Sequence, residues 1–248
     1  FTFLAVNFGT AHAYLPDEIQ VYDDEINAKG EYGLELHINT TPRGNTGQSY
    51  PGEVVNNGNT RLTPEFSYGL GNHLEAGYYL NTVFNNGAWN YAGSKIRMKW
   101  LPFLEDEGHL FFAGVNFEVS DVLPQYEQNR YTGEARFILG KHIDEWLFAI
   151  NPILDVNLSS PNKFASPTFN IAARISREVS ADWALGVEYY SNSGPINVPT
   201  TYQNSTGMGF LMAYYEGKPM AFQIGVGQGL TAASDSLTVK AIVSIPLP

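Results

Sequence analysis

The chain has 248 residues, with 25 Asp and Glu against 14 Lys and Arg, a net charge of -11. This acidity argues against a nucleic-acid partner, because phosphate contacts need a basic surface. The chain has no cysteine, which excludes a disulfide framework and thiol chemistry. No run of about 18 apolar residues predicts a membrane-spanning helix, whereas the strands of a membrane β-barrel need only be half apolar.

Residues 1–13, FTFLAVNFGTAHA, carry no charge and end in the small-x-small sequence Ala11-His12-Ala13. An apolar run before such a site is typical of a secretory signal peptide, so we expect an exported protein whose mature chain starts near Tyr14. The alternative is a short buried strand. Residues 14–30 form an acidic arm with weak alternation. The favoured interpretation is a solvated periplasmic arm, and the alternative is a plug that enters a barrel and pairs with cations there.

From residue 31 to residue 248 the chain alternates between apolar and polar positions with a period of two, which is typical of strands. No segment shows the helical period over three turns. The pattern predicts twelve strands, near 31–40, 60–70, 72–84, 88–102, 108–120, 129–140, 144–157, 164–178, 182–191, 205–215, 219–229 and 236–247.

The connections between these strands mostly alternate between long and short. Long links are expected at 41–59, 121–129, 158–167 and 192–204, and tight ones in GLGNH and KHID. An up-and-down membrane barrel has short periplasmic turns, longer extracellular loops and an even strand count. The fold class predicted is therefore all-β, a transmembrane up-and-down antiparallel β-barrel of about 12 strands. The alternative is a soluble secreted β-sandwich.

The stretch GSKIRMKWL, residues 93–101, alternates three cations with apolar residues. Successive side chains of a strand point to opposite faces. In a barrel, Lys95, Arg97 and Lys99 then point into the lumen, while Ile96 and its neighbours face lipid.

The same sorting by parity, applied to the other strands, predicts a narrow lumen lined by charges of both signs. The predicted lumen-lining residues are Glu35, His37, Arg61, Glu65, His73, Glu75, Lys95, Arg97, Lys99, Glu118, Arg130, Glu134, Arg136, Asp155, Arg174, Glu188 and Lys240. Such a lumen is either a selective conduit or a closed interior whose paired charges are purely structural. In the tenth and eleventh predicted strands, which are rich in Gly and Met, apolar and polar residues do not separate onto opposite faces.

The sequence offers no catalytic residues. There is no G-x-S-x-G elbow, and no histidine pairs recognisably with an outward serine, so we do not expect an enzyme. His37 and His73, with Glu35 and Glu75, could form a metal site or a proton-linked group. The favoured interpretation is that they are hydrogen-bonded lumen residues, so no metal and no cofactor is expected.

The stretch DEIQVYDDEINAKGEYGLELHINTT, followed by a Pro- and Gly-rich loop and LTPEFSYGLGNHLEAGYYL, resembles a family of outer-membrane transporters associated with the meta-pathway of phenol degradation. The resemblance covers the N-terminal third by motif and the rest by architecture. It implies a barrel of roughly twelve strands that passes small molecules, hydrophobic or aromatic ones among them. The ending VSIPLP departs from the C-terminal aromatic of many such barrels.

These observations predict a porin-like channel of the bacterial outer membrane, acting in passive passage of a small molecule. Its expected partners are the lipid bilayer, lipopolysaccharide, the solute, and the barrel-assembly machinery during insertion. The alternative is a non-conducting structural or surface-binding barrel.

Overall fold

The computed structural model describes residues 17–159, 163–164, 166–198, 201 and 205–247. The predicted signal segment and Tyr14 lie outside these residues. Twelve antiparallel strands each pair with the next, and the last pairs with the first, closing a barrel. They are β1 (Tyr32–Arg43), β2 (Thr60–Gly71), β3 (Leu74–Asn85), β4 (Ala88–Phe103), β5 (Phe112–Val122), β6 (Tyr131–Ile143), β7 (Trp146–Asn157), β8 (Thr168–Ser180), β9 (Trp183–Pro195), β10 (Thr206–Tyr215), β11 (Ala221–Gly229) and β12 (Leu237–Leu247).

The described part of the chain contains little helix. A single 3₁₀ turn, Glu105–Glu107, lies between β4 and β5. None of the helical structure described there has the length and apolar character needed to cross a membrane.

The two ends of the barrel differ in the length of their connections. At the short-turn end, where β1 starts, Asn72 and His73 join β2 to β3 with φ values of 53° and 57°. Positive φ at both central residues is the geometry that matches the twist of a hairpin. The opposite, long-loop end carries residues 44–59 and 123–130, and also one tight Asn86-Gly87 turn. The predicted alternation of long and short links is therefore present for most links. This turn and the longer β4–β5 connection, residues 104–111, are exceptions.

The two faces of the wall have opposite chemistry. On β4, Ile96 is 59% exposed on the outside, whereas Arg97 is buried on the inside. Large apolar side chains are exposed on the outer face of the other strands as well, among them Phe66, Phe117 and Leu211. An apolar outside around a polar interior is the arrangement of a membrane barrel and the reverse of a soluble sandwich. The prediction of a twelve-stranded membrane-type barrel is confirmed.

Strands β10 and β11 break this rule on their inner face. Phe210, Met212 and Tyr214 of β10 point inward and are buried. Phe210 and Met212 are paired with Gly227 and Gly225 of β11, and a Cβ on either glycine would collide with the side chain opposite. The apolar inner residues therefore occupy the space left by missing side chains, which explains why parity does not sort these strands.

Candidate functional site

The candidate site is the barrel interior, which holds the residues that precede β1. We call residues 17–27 the lumen segment. Asp17 lies toward the long-loop end, 2.5 Å from Arg61, and accepts a hydrogen bond of 2.8 Å from Asn81 Nδ2. At the short-turn end, the Asn27 side chain donates to Ser67 Oγ at 2.7 Å. The segment therefore runs along the lumen past most of the wall. The structure differs here from the favoured interpretation of a solvated arm.

Acidic side chains of the lumen segment pair with cations on widely separated strands. Glu18 lies 2.9 Å from Lys95 Nζ on β4, and Asp23 lies 2.9 Å from Arg174 on β8. With the contact between Asp17 and Arg61, three acids of the segment meet three cations of the wall. Charges removed from water need such partners, so these pairs fix the position of the segment.

Apolar side chains of the segment also pack against the wall of the lumen. Ile19 is buried with Phe210, Met212 and Tyr214. Val21 and Tyr22 pack into a second cluster, formed by Leu101, Leu104, Phe112, Ile138, Leu147, Ala149, Ile153 and Ala172. The segment thus buries apolar surface in addition to pairing its acids with the wall.

The backbone of the segment is also held. The Tyr22 N–H donates to Asn151 Oδ1 at 2.7 Å, and Asn151 Nδ2 donates back to the Tyr22 carbonyl at 2.9 Å. Asn151 therefore satisfies both backbone groups of a residue that has no neighbouring strand, as buried backbone requires.

The three cations of β4 are all paired, Arg97 buried and the two lysines partly exposed. Arg97 donates from Nε to Glu65 at 2.6 Å and from Nη2 to Glu75 at 2.6 Å. Lys99 lies 3.3 Å from Glu75. Lys95 contacts Glu118 at 3.3 Å in addition to Glu18. These contacts tie β4 to β2, β3 and β5 from the inside of the barrel.

A second buried network lies on the far wall. Lys240 of β12 forms an ion pair with Glu188 of β9 and donates to the Ile19 carbonyl at 2.9 Å. Tyr214 donates to Glu188 at 2.9 Å. One lysine thus connects the last strand, strand β9 and the lumen segment.

Most residues that the sequence assigns to the lumen lie on the inner face. Ten are buried there: His37, Arg61, Glu65, Glu75, Arg97, Glu118, Arg136, Arg174, Glu188 and Lys240. Five are inward but partly exposed: Glu35, Lys95, Lys99, Glu134 and Asp155.

Two of the assigned residues lie elsewhere. His73 is in the β2–β3 turn, 3.2 Å from Glu107, because the hairpin reverses one residue later than the alternation suggests. Arg130 lies in the loop before β6, exposed and paired with Asp121 at 2.7 Å. The parity rule fails at both positions because each is outside the strand.

Sequence reasoning gave a plug that pairs with lumen cations only as the alternative, and it identified none of the individual partners. Its acidic composition was a visible signal, but the partners of Asp17 and Asp23 lie 44 and 151 residues away in the chain. For Asn151, the alternation of the strand predicted only that the side chain points into the barrel.

Two cavities remain beside the lumen segment. One, of about 340 Å³, opens near the short-turn end and is lined by Gln20, Tyr22, Glu35, Arg97 and Lys99 among others. The other, of about 40 Å³, lies between the segment and β7–β12 and is lined mainly by apolar side chains, including Ile153, Tyr190, Met208 and Phe210.

One cluster of side chains has the composition of a metal site. His37 Nε2 lies 3.0 Å from Glu65 Oε2 and 3.6 Å from Glu35 Oε2, and the three ligand atoms are all within 4.8 Å of one another. Without an ion, the same atoms form a hydrogen-bonded bridge between β1 and β2.

No protein-family model and no curated protein matches this chain. Solved structures do. The COG4313 outer membrane channel from Pseudomonas putida F1 has a TM-score of 0.60 at 10% identity, covering 93% of this chain and 100% of that one. The KdgM porin, solved with disordered oligogalacturonate, has a TM-score of 0.59 at 8% identity over 87% and 99%. The NanC porin has 0.56 at 11% over 88% and 100%.

The chain is therefore an outer-membrane-type β-barrel of twelve strands. At these identities the similarity to the channel and the two porins is one of fold. The apolar belt on the outside and the charged interior are properties of this chain's own sequence.

Proposed function

We propose that this chain is a channel of the bacterial outer membrane for the passive passage of a small solute, and that the lumen segment closes it in the state described. The observation that carries the proposal is the set of ion pairs between Asp17, Glu18 and Asp23 and the wall. A segment that crosses the lumen and is held by side-chain contacts can leave without breaking the barrel, because it takes no part in the strand pairing of the wall.

Withdrawal of the segment would change the electrostatics of the lumen. Arg61, Lys95 and Arg174 would lose their acidic partners in the segment, while their positions on the wall stay fixed. In a lumen shielded from bulk water, unpaired charges act strongly on a passing ion. Loss of these acids makes the lumen less negative, so the selectivity of the open channel should shift toward anions.

The apolar side of the lumen supports a small solute that is hydrophobic or aromatic. The cavity of about 40 Å³ is framed by Tyr190, Met208 and Phe210. Asn170 also lines it, and its buried Oδ1 has no hydrogen-bond partner among the described residues. Binding pockets combine apolar walls with a few placed polar groups. A cavity that binds benzene measures roughly 150 Å³, so this cavity has to widen as the segment leaves before it can hold such a solute. The resemblance to transporters associated with the meta-pathway of phenol degradation points to the same class of solute.

The test is single-channel conductance in planar bilayers, comparing the full chain with a variant lacking residues 17–26. We expect rare, small openings in the full chain and, after the deletion, a several-fold larger conductance whose selectivity is shifted toward anions. The triple variant Asp17→Asn, Glu18→Gln, Asp23→Asn keeps the segment but removes its charges, and should open more often than the full chain.

The matched control is Asp106→Asn, which removes one acid from the exposed turn between β4 and β5. It should leave the conductance unchanged. Equal conductance with and without residues 17–26 would show that the segment is not the barrier. Absence of conductance in every variant would favour a non-conducting barrel.

A further inference from the structure

Glu35 of β1 and Glu65 of β2 are direct cross-strand partners on the inner face. Two like charges directly opposite each other destabilise a sheet unless a cation or a proton lies between them. His37, two residues along β1, projects from the same face and is fully buried. The register of the barrel therefore sets one imidazole beside two facing carboxylates.

The spacing of these groups suits a small tetrahedral ion. A zinc ion with bonds of about 2.0–2.2 Å to nitrogen and oxygen holds its ligand atoms about 3.3–3.5 Å apart. His37 Nε2 lies 3.0 Å and 3.6 Å from the nearest oxygens of Glu65 and Glu35. All three atoms lie on paired strands of a closed sheet, so the backbone already positions them.

Neighbouring side chains orient both carboxylates toward the imidazole. Ser244 Oγ donates to Glu35 Oε1 at 2.9 Å, and Arg97 Nε donates to Glu65 Oε1 at 2.6 Å. Each contact holds one oxygen and leaves Oε2 directed at His37. Outer hydrogen bonds that fix the orientation of ligating carboxylates are the usual support of protein metal sites.

The group is also accessible. Glu35 keeps 21% side-chain exposure and lines the cavity of about 340 Å³ at the short-turn end. Gln20 of the lumen segment donates to Glu35 Oε2 at 3.3 Å, so it occupies one of the three ligand atoms. An ion entering from the cavity would displace this contact.

From this geometry we propose that Glu35, His37 and Glu65 bind a divalent transition-metal ion, with zinc as the expected one and solvent completing the coordination. This goes beyond the sequence analysis, which expected no metal, and it does not depend on whether the barrel conducts. His37 Nδ1 has no hydrogen-bond partner among the described residues, so the imidazole lacks the orienting contact that its carboxylate neighbours have.

The test uses Co²⁺ added to the purified full chain in detergent. A tetrahedral site gives an intense visible absorption band, which Zn²⁺ should remove by competition. Both His37→Gln and Glu35→Gln should abolish the band. The control His73→Gln changes a histidine in the β2–β3 turn and should leave it intact. Ser244→Ala keeps all three ligands and should weaken Co²⁺ binding about tenfold or more.

Heat-modifiable migration on a denaturing gel reports whether each variant folds. If His37→Gln does not fold, Glu35→Gln decides, because its side chain is partly exposed and isosteric. Lack of a tetrahedral band at excess Co²⁺, a band that survives in Glu35→Gln, or a band lost in His73→Gln would each overturn the proposal. None of these measurements depends on conductance, so their outcome is independent of the channel proposal.

Discussion

Replacing Arg97 with Gln isolates the energetic role of the paired interior. The Arg97 side chain is 5% exposed and bridges Glu65 and Glu75, which are 2% and 3% exposed. Gln keeps much of the side-chain volume but carries no charge. The substitution therefore leaves two buried carboxylates without their shared cation, although Lys99 stays within 3.3 Å of Glu75.

Removing one partner of a buried ion pair typically costs about 3–5 kcal/mol, because the other charge stays buried and uncompensated. That is a large fraction of a usual folding free energy of about 5–15 kcal/mol. We expect a loss of this size in the free energy of unfolding. The measurement is urea titration of the barrel folded in lipid vesicles, followed by tryptophan fluorescence.

The matched control is Arg130→Gln. Arg130 also pairs with a carboxylate, Asp121, but both side chains are exposed, at 47% and 41%. Solvent screening makes exposed pairs weak, so this variant should unfold at the same urea concentration as the native chain. A loss below about 1 kcal/mol for Arg97→Gln would mean that water reaches the carboxylates, and the reasoning from burial would fail.

Other changes test the two faces and the loops. Ile96→Arg places a charge on the outer face, at a cost of about 2–4 kcal/mol near the bilayer midplane, and should reduce the yield of heat-modifiable barrel. Gly77→Val should destabilise the barrel in urea, because a Cβ there meets Arg97 Cγ at 2.7 Å. Burial, with Asp17 nearby, raises the pKa of Glu127 to about 7. A raised pKa means that the folded barrel binds this proton more tightly than the unfolded chain does. The free energy of unfolding therefore falls as the pH rises through 7 and Glu127 loses its proton. Glu127→Gln, which stays neutral, should stabilise the barrel at pH 8 and not at pH 5.

The wall of the barrel could be predicted from sequence because its chemistry repeats every two residues. On β4, Lys95, Arg97 and Lys99 alternate with apolar neighbours, and only one register separates them onto two faces. Turn residues such as Asn86-Gly87 then mark where each strand ends. For this reason, the alternation within strands and the turn residues between them were sufficient to predict the fold.

The contents of the lumen could not be predicted in the same way. The contact between Asp23 and Arg174 spans 151 residues, and no local period encodes it. Acidic composition alone fits a solvated arm as well as a segment that pairs with wall cations. The inner face of β10 could not be predicted for another reason. The space for the inward Phe210 side chain comes from a glycine on the next strand, and nothing in the sequence of β10 itself indicates this.

The bond from Lys240 to the Ile19 carbonyl has a consequence for the order of assembly. Strands β1 and β12 are the first and last strands of the described chain, and the seam between them closes the barrel. The residues before β1 lie inside the barrel, where Lys240 of β12 donates to the Ile19 carbonyl. We therefore expect the segment to be bound at the step in which β12 takes its place and the last strand pair forms. Substituting Lys240 with Met should slow refolding at that step, leaving an intermediate whose sheet is formed but unsealed.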